Sequence, residues 1–172
     1  MPYTVKTEGM DEINAMLGQL EEGMNGIAAQ AVYEGAGTIA DELKKNANAI
    51  VTEPFNYAPP GRFRLPSPEE KAAILGAGGI ARFDNQGGAE VSTSVGYNNS
   101  GYAMVAGHIR PIPLLVNSIN SGTSFMKKQP FVRKTASIGG KKAVAKMKEK
   151  IESEWAKVFR EVYGKSSGYG GK

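Results

Sequence analysis

Cysteine is absent from the chain, and histidine occurs once, at His108. The first absence excludes disulfide staples and thiolate metal sites; the second excludes a cage of histidines around a metal within one chain. No apolar run approaches the ~18 residues that a membrane-crossing helix needs. The opening Met1-Pro2-Tyr3-Thr4 lacks the apolar core of a secretion signal, so residence in a cytoplasm after synthesis is expected. Charge of one sign is only slightly in excess. The 21 Lys and Arg against 17 Asp and Glu leave a formal +4, too little to imply nucleic-acid binding without a focused patch. A phosphate-binding loop is missing as well. Gly76-Ala77-Gly78-Gly79-Ile80-Ala81 satisfies a loose dinucleotide pattern, but that pattern works only between a strand and the N-terminus of a helix. Here a capped helix precedes the glycines and a strand follows, so they read as a helix end. His108 has no neighbouring Ser or acid pair to form a nucleophile and base, and the carboxylates lie mostly in Glu-Lys helical faces. Neither catalysis nor a cofactor is expected.

What remains is periodic apolar sequence, enough for one domain over residues 1–164. Ile13, Leu17, Leu20, Met24, Ile27 and Ala31 recur at three and four, which predicts a helix. Glycines at 18, 23, 26, 35 and 37 each weaken it by about 1 kcal/mol relative to Ala. A break near Gly23 or Gly26 is therefore expected, then a second helix burying Val32, Ala36, Ile39, Leu43 and Ala47, a row small enough to let another backbone approach. Pro54, Pro59, Pro60, Pro66 and Pro68 with Gly61 predict an extended loop. Arg62 and Arg64 flank Phe63 there, and this reads as a surface loop pinned by Phe63 in preference to a stacking site for nucleic acid. Ser67-Pro68-Glu69-Glu70 is a capping box that opens a short helix through Leu75.

Ile80–Asp84 and Val91–Tyr97 predict a hairpin around Asn85-Gln86-Gly87-Gly88. Asn98-Asn99-Ser100-Gly101 is a second turn, leading to a third strand over Tyr102–Ala106. Ile109–Pro113 interrupts it, and Leu114-Leu115-Val116 with Ile119 fits either an edge strand or a helical turn. Gly139-Gly140 is expected to kink or restart the last helix, whose buried face is Val144, Met147, Ile151, Trp155, Val158 and Val162, with Gly164 as its cap. Residues 165–172 form a Gly/Ser-rich tail that reads as flexible. The fold class is α+β: N-terminal helices and a long C-terminal helix packed on a small antiparallel sheet.

The stretch around which these elements are arranged is Ser121–Ala136. Gly122 supplies a turn, Pro130 suits the first position of a helix, and Phe131 is an anchor just inside it. Gly122-Thr123, Met126, Pro130-Phe131, Arg133 and Ala136, preceded by the pair Tyr102-Ala103, resemble the C-terminal signature of the tail-component, or neck, family of long-tailed bacteriophages. Asn120 or Ser121 stands where that family has Glu, Lys134-Thr135-Ala136 where it has Pro-Ala, and Arg110–Pro113 lengthens the spacing. The similarity extends over most of residues 9–163.

The resemblance implies a virion protein without chemistry, forming a sixfold ring of itself at the head-to-tail junction. It would meet head-closure or connector proteins on one side and tail terminator or tail tube proteins on the other, assembled in the host cytoplasm with no membrane. The expected contact surface is the arm Gly122, Thr123, Phe125, Met126, Pro130, Phe131 and Arg133, with Phe131 and Met126 packing at its base, so that Phe131→Ala blocks joining while the subunit stays folded. A basic run through Lys127, Lys128, Lys141, Lys142 and Lys146 would face genomic DNA in the lumen or acidic neighbours. A small basic DNA-binding protein using the Lys-rich last helix is the alternative, against which stands a solvated helix face with Glu149, Glu152 and Glu154.

Overall fold

A computed structural model describes residues 10–55, 61–82, 84–86, 90–97 and 101–164. The fold is α+β with a long C-terminal helix, as expected. Helix α1 runs Met10–Asn48 without interruption for 39 residues, about 58 Å at ~1.5 Å per residue. The break expected near Gly23 or Gly26 does not occur. Packing explains this, because α1 lies along α4, Phe131–Gly164, and the contact replaces what the glycines give up in helix propensity. Gly23 lies beside Val158, Gly35 beside Met147, and Gly139 beside Glu42 and Ile39. The numbers fall on one helix as they rise on the other, so the pair is an antiparallel hairpin. A Cβ added at Gly139 would sit 3.5 Å from the Glu42 Cβ and 3.6 Å from the Ile39 Cα, and α4 continues through Gly139-Gly140 with no restart.

At one end of the hairpin the smaller elements gather. Helix α2, Pro68–Ala77, opens on the capping box: the Ser67 side chain accepts from the Glu70 N–H and the Glu70 carboxylate from the Ser67 N–H. It ends at the glycines, after which strand β1 begins (Gly78–Ile80). That strand pairs antiparallel with β4, Val95–Tyr97, and β2, Asp84–Gln86, pairs with β3, Glu90–Ser92. Asn85 and Gln86, expected in the turn, are therefore strand residues, while residues 87, 88 and 98–100 of the expected turns lie outside the described ones.

Strand β5, Tyr102–Val105, does not join this hairpin as a third strand. It pairs with β6, His108–Pro111, the segment expected to interrupt the sheet. The turn between them has Ala106 at φ 49° and Gly107 at φ 78°, the positive pair that a two-residue hairpin of this twist requires. Ala106 pays for that conformation with steric strain, and its N–H donates to the Glu69 carboxylate at 3.2 Å. Ile112–Ser121 is helix α3, which resolves the open choice over Leu114–Val116 in favour of helix.

The core joins these pieces. Leu43, Ala47 and Ile50 from the end of α1, Ile74 from α2, Leu115 and Ile119 from α3, Met126 and Phe131 form one buried cluster, with Tyr97 and Val95 packed against it. The Tyr97 ring meets Phe131 edge-on at 6.1 Å, and burial pushes the Tyr97 phenol far above its ordinary range. The α4 face expected to be buried is corrected further along. Met147 and Val158 are half-buried against α1, but Val144, Ile151 and Trp155 are exposed, at 63%, 45% and 38%. The buried positions are Phe131, Thr135, Gly139 and Ala143, which recur every four residues and are mostly small. Val162, Ile13, Leu17 and Leu20 lie outside the described side chains, as do residues 165–172 of the tail.

Candidate interaction surfaces

The arm is fastened to its own chain along most of its length. Gly122 has φ 78°, and a Cβ there would lie 3.2 Å from the Lys128 nitrogen, so the turn requires glycine. The Thr123 hydroxyl accepts from the Met126 N–H at 3.0 Å, and the Thr123 N–H donates to the Met126 carbonyl at 3.0 Å. Arg64 then pairs with Met126 as a parallel bridge: its N–H donates to the Phe125 carbonyl at 2.8 Å, and its carbonyl accepts from the Lys127 N–H at 2.9 Å. The Gln129 side chain both donates to and accepts from the Val51 backbone at 2.9 Å. Asn120 caps the entry to α4 by accepting from the Val132 N–H at 3.1 Å.

Arg64 is held in turn by Glu70. Two guanidinium nitrogens meet the two carboxylate oxygens at 2.7 Å each, the Phe55 ring lies 5.0 Å beneath the guanidinium carbon, and the Arg110 guanidinium stands 4.0 Å from Glu70. Burial pushes the Glu70 carboxyl up, but the Arg64 bonds, the Ser67 N–H and the two guanidinium charges outweigh it and hold the group below its ordinary 4.5. The loop is thus pinned by buried Arg64, while Phe63 is 62% exposed. This reverses the expectation for Arg62-Phe63-Arg64. The capping box that locates Glu70 gave the only signal, and nothing in the spacing announced its second partner.

Two expected contact residues are consequently corrected: Met126 is 1% exposed and Phe131 4%, so both belong to the core of their own subunit. They do pack at the arm's base. Phe125, Pro130 and Arg133 are exposed, and Gly122 and Thr123 half-buried. No polar partner of Arg133 is found among the described residues.

Exposed apolar groups form two other patches. On the β5–β6 ribbon, Met104 lies directly opposite Ile109, and Tyr102 opposite Pro111. Tyr102, Met104 and Ile109 are 68%, 63% and 68% exposed on one face of the ribbon. A cavity of about 260 Å³ between Pro111, Leu114 and Phe125 extends this patch. The second patch is on α4, where Val144, Ile151, Trp155 and Phe159 stand at spacings of seven, four and four. The Trp155 and Phe159 rings lie 6.4 Å apart.

The basic run divides. Lys127, Lys128, Lys141 and Lys146 are exposed. Lys142 bonds Glu42 at 2.7 Å, Lys150 pairs with Glu34 and Glu154, and Lys148 lies 3.8 Å from Glu152. His108 is exposed. Among the described residues no three of His, Asp and Glu gather as metal ligands, and no helix is long and apolar enough to cross a membrane. In comparisons with known proteins the chain matches no family model, no curated sequence and no solved structure.

Proposed function

We propose that the chain is a structural virion protein that assembles into a closed ring at the head-to-tail junction of a tailed bacteriophage, between a connector or head-closure layer and the tail terminator or tube. The observation that carries the assembly reading is the pair of unlike apolar patches. One is the Tyr102, Met104 and Ile109 face with Leu114 and Phe125; the other is the Val144, Ile151, Trp155 and Phe159 stripe. Trp155 lies 24 residues along α4 from Phe131, about 36 Å of helix, so the patches belong to different ends of the molecule. Unlike patches on one subunit support heterologous contacts, which close into a ring when the rotation between copies closes. The Gly122-Thr123, Pro130-Phe131 and Arg133 resemblance supports the place of that ring in a virion.

Native mass measurement on the purified protein tests this. A closed oligomer is expected, and Trp155→Ser with Phe159→Ser should weaken it by roughly 100-fold or more, since each ring contributes about 1.5–3 kcal/mol when covered. The helical circular dichroism of the variant subunit should be unchanged. In an infected host the same variant should leave heads and tails unjoined. A wild-type protein that is monomeric at every accessible concentration, with joining unaffected in the variant, overturns the reading.

A further inference from the structure

We infer that the side of the helical hairpin bearing Lys45, Lys128, Lys134, Lys142 and Lys146 is a docking surface for the phosphates of duplex nucleic acid. This stands on charge and geometry and does not depend on ring formation. Lys134, Lys142 and Lys146 occupy one i, i+4 row of α4, with Ile138 between the first two. Lys45 reaches the same place from α1, three residues on from Glu42 on one helix: the Lys142 hydrogen bond, with the charges of Lys142, Lys45 and Lys134, holds the Glu42 carboxyl below the ordinary range against the effect of burial. Lys128 joins them, lining one cavity with Lys134, Asn46 and Gln129. Three ammonium groups thus act on one carboxylate, which is already bonded to Lys142 at 2.7 Å, while Lys128 lies beside Lys134 and Lys146 one turn beyond Lys142. The first turn of α4 adds no acidic residue.

From Lys134 to Lys146 the row runs about 18 Å, roughly half a turn of duplex DNA. The chemistry favours nucleic acid over an acidic protein. Lysine is depleted from the centres of protein interfaces, which are anchored by apolar and aromatic groups, and here the apolar residue in the row is Ile138, 37% exposed. The large exposed apolar groups of the ribbon and of the far half of α4 lie elsewhere.

The test is fluorescence anisotropy of the full chain with a labelled duplex of about 20 base pairs, between roughly 50 and 200 mM salt, where release of about four counterions weakens binding on the order of 100-fold. Lys128→Gln with Lys134→Gln removes two contacts, so the same salt step should weaken binding only about 10-fold. Lys148→Gln with Lys157→Gln, on exposed pairs with Glu152 and Glu154, should change neither affinity nor salt dependence. If the first double variant unfolds, Lys45→Gln with Lys146→Gln asks the same question. Three outcomes overturn the inference: no binding at the lowest salt, a salt dependence unaltered by the lysine variants, or equal affinity for a poly-glutamate chain of the same charge. The last would assign the surface to an acidic protein.

Discussion

The two ends of the α1–α4 hairpin are built on different rules. At the near end, where α1 finishes and α4 begins, every large apolar group of the core cluster is covered by several elements, and the polar groups between the helices are matched: the Asn46 amide donates to the Thr135 hydroxyl, which donates to the Phe131 carbonyl. At the far end, among the described residues, Gly23 and Gly35 of α1 lie beside the half-buried Val158 and Met147 of α4, and Trp155 and Phe159 stand exposed. The near end thus carries the core, with the ribbon patch on its surface, whereas the far end leaves Trp155 and Phe159 exposed. Substitutions at the two ends should therefore fail in different ways.

The largest effect belongs to the near end. Phe131→Ala removes a ring that touches Tyr97 and seals the cluster, and should destabilise the subunit by about 3–5 kcal/mol in denaturant unfolding. It reports on folding, which corrects the expectation that it would leave the subunit intact. If Phe131→Ala unfolds at the wild-type denaturant midpoint, the contrast between the ends is lost.

Next comes the buried Arg64–Glu70 pair. Glu70→Gln leaves the Arg64 guanidinium without its carboxylate, a loss of about 3 kcal/mol on the usual scale for breaking a buried pair. Its sign with pH follows from the shift. Glu70 has a folded-state pKa below its ordinary 4.5, so its ionised form contributes stability in full above about that pH and loses it as pH falls through the lower folded value. Wild type and Glu70→Gln should therefore differ most at neutral pH and converge in acid. A difference that grows below pH ~4.5 would contradict this sign. Because Arg64 holds Phe125 and Lys127 through its backbone, the same variant should speed amide exchange at Lys127.

Much of this division was legible in the residues, and the misses share a physical origin. The capping box at Ser67, the helix end at Gly76–Gly79 and the α+β class depend on local chemistry, and all were readable. The continuity of α1 was not, because glycine propensity is local while the compensating surface of α4 lies more than a hundred residues away. Strand β6 was hidden by Ala106, a residue that seldom adopts positive φ. On α4, periodicity showed that Val144, Ile151 and Trp155 share a stripe but not what covers it. The small residues Gly139 and Ala143, which carry no hydrophobic signal, face α1 instead. The basic run was visible as sequence, but its division into neutralised and exposed lysines required the partners Glu34, Glu42 and Glu154.

The smallest expected effect separates local propensity from packing within α1 itself. At Gly26 an added Cβ meets nothing within 4 Å, whereas at Gly35 it would lie 2.7 Å from the Met147 Cγ. Gly26→Ala should therefore stabilise the subunit by about 0.5–1 kcal/mol, the usual gain from replacing an exposed helical glycine. Gly35→Ala makes the same gain in propensity but forces Met147 to another rotamer in the α1–α4 contact, so its net effect should be smaller or of opposite sign. Met147 is unbranched and can yield, which limits the penalty. Thermal unfolding of the two single variants at equal subunit concentration checks this. Equal stabilisation by both would mean that the helices do not press together at Gly35, and the close approach that keeps α1 unbroken would need another cause.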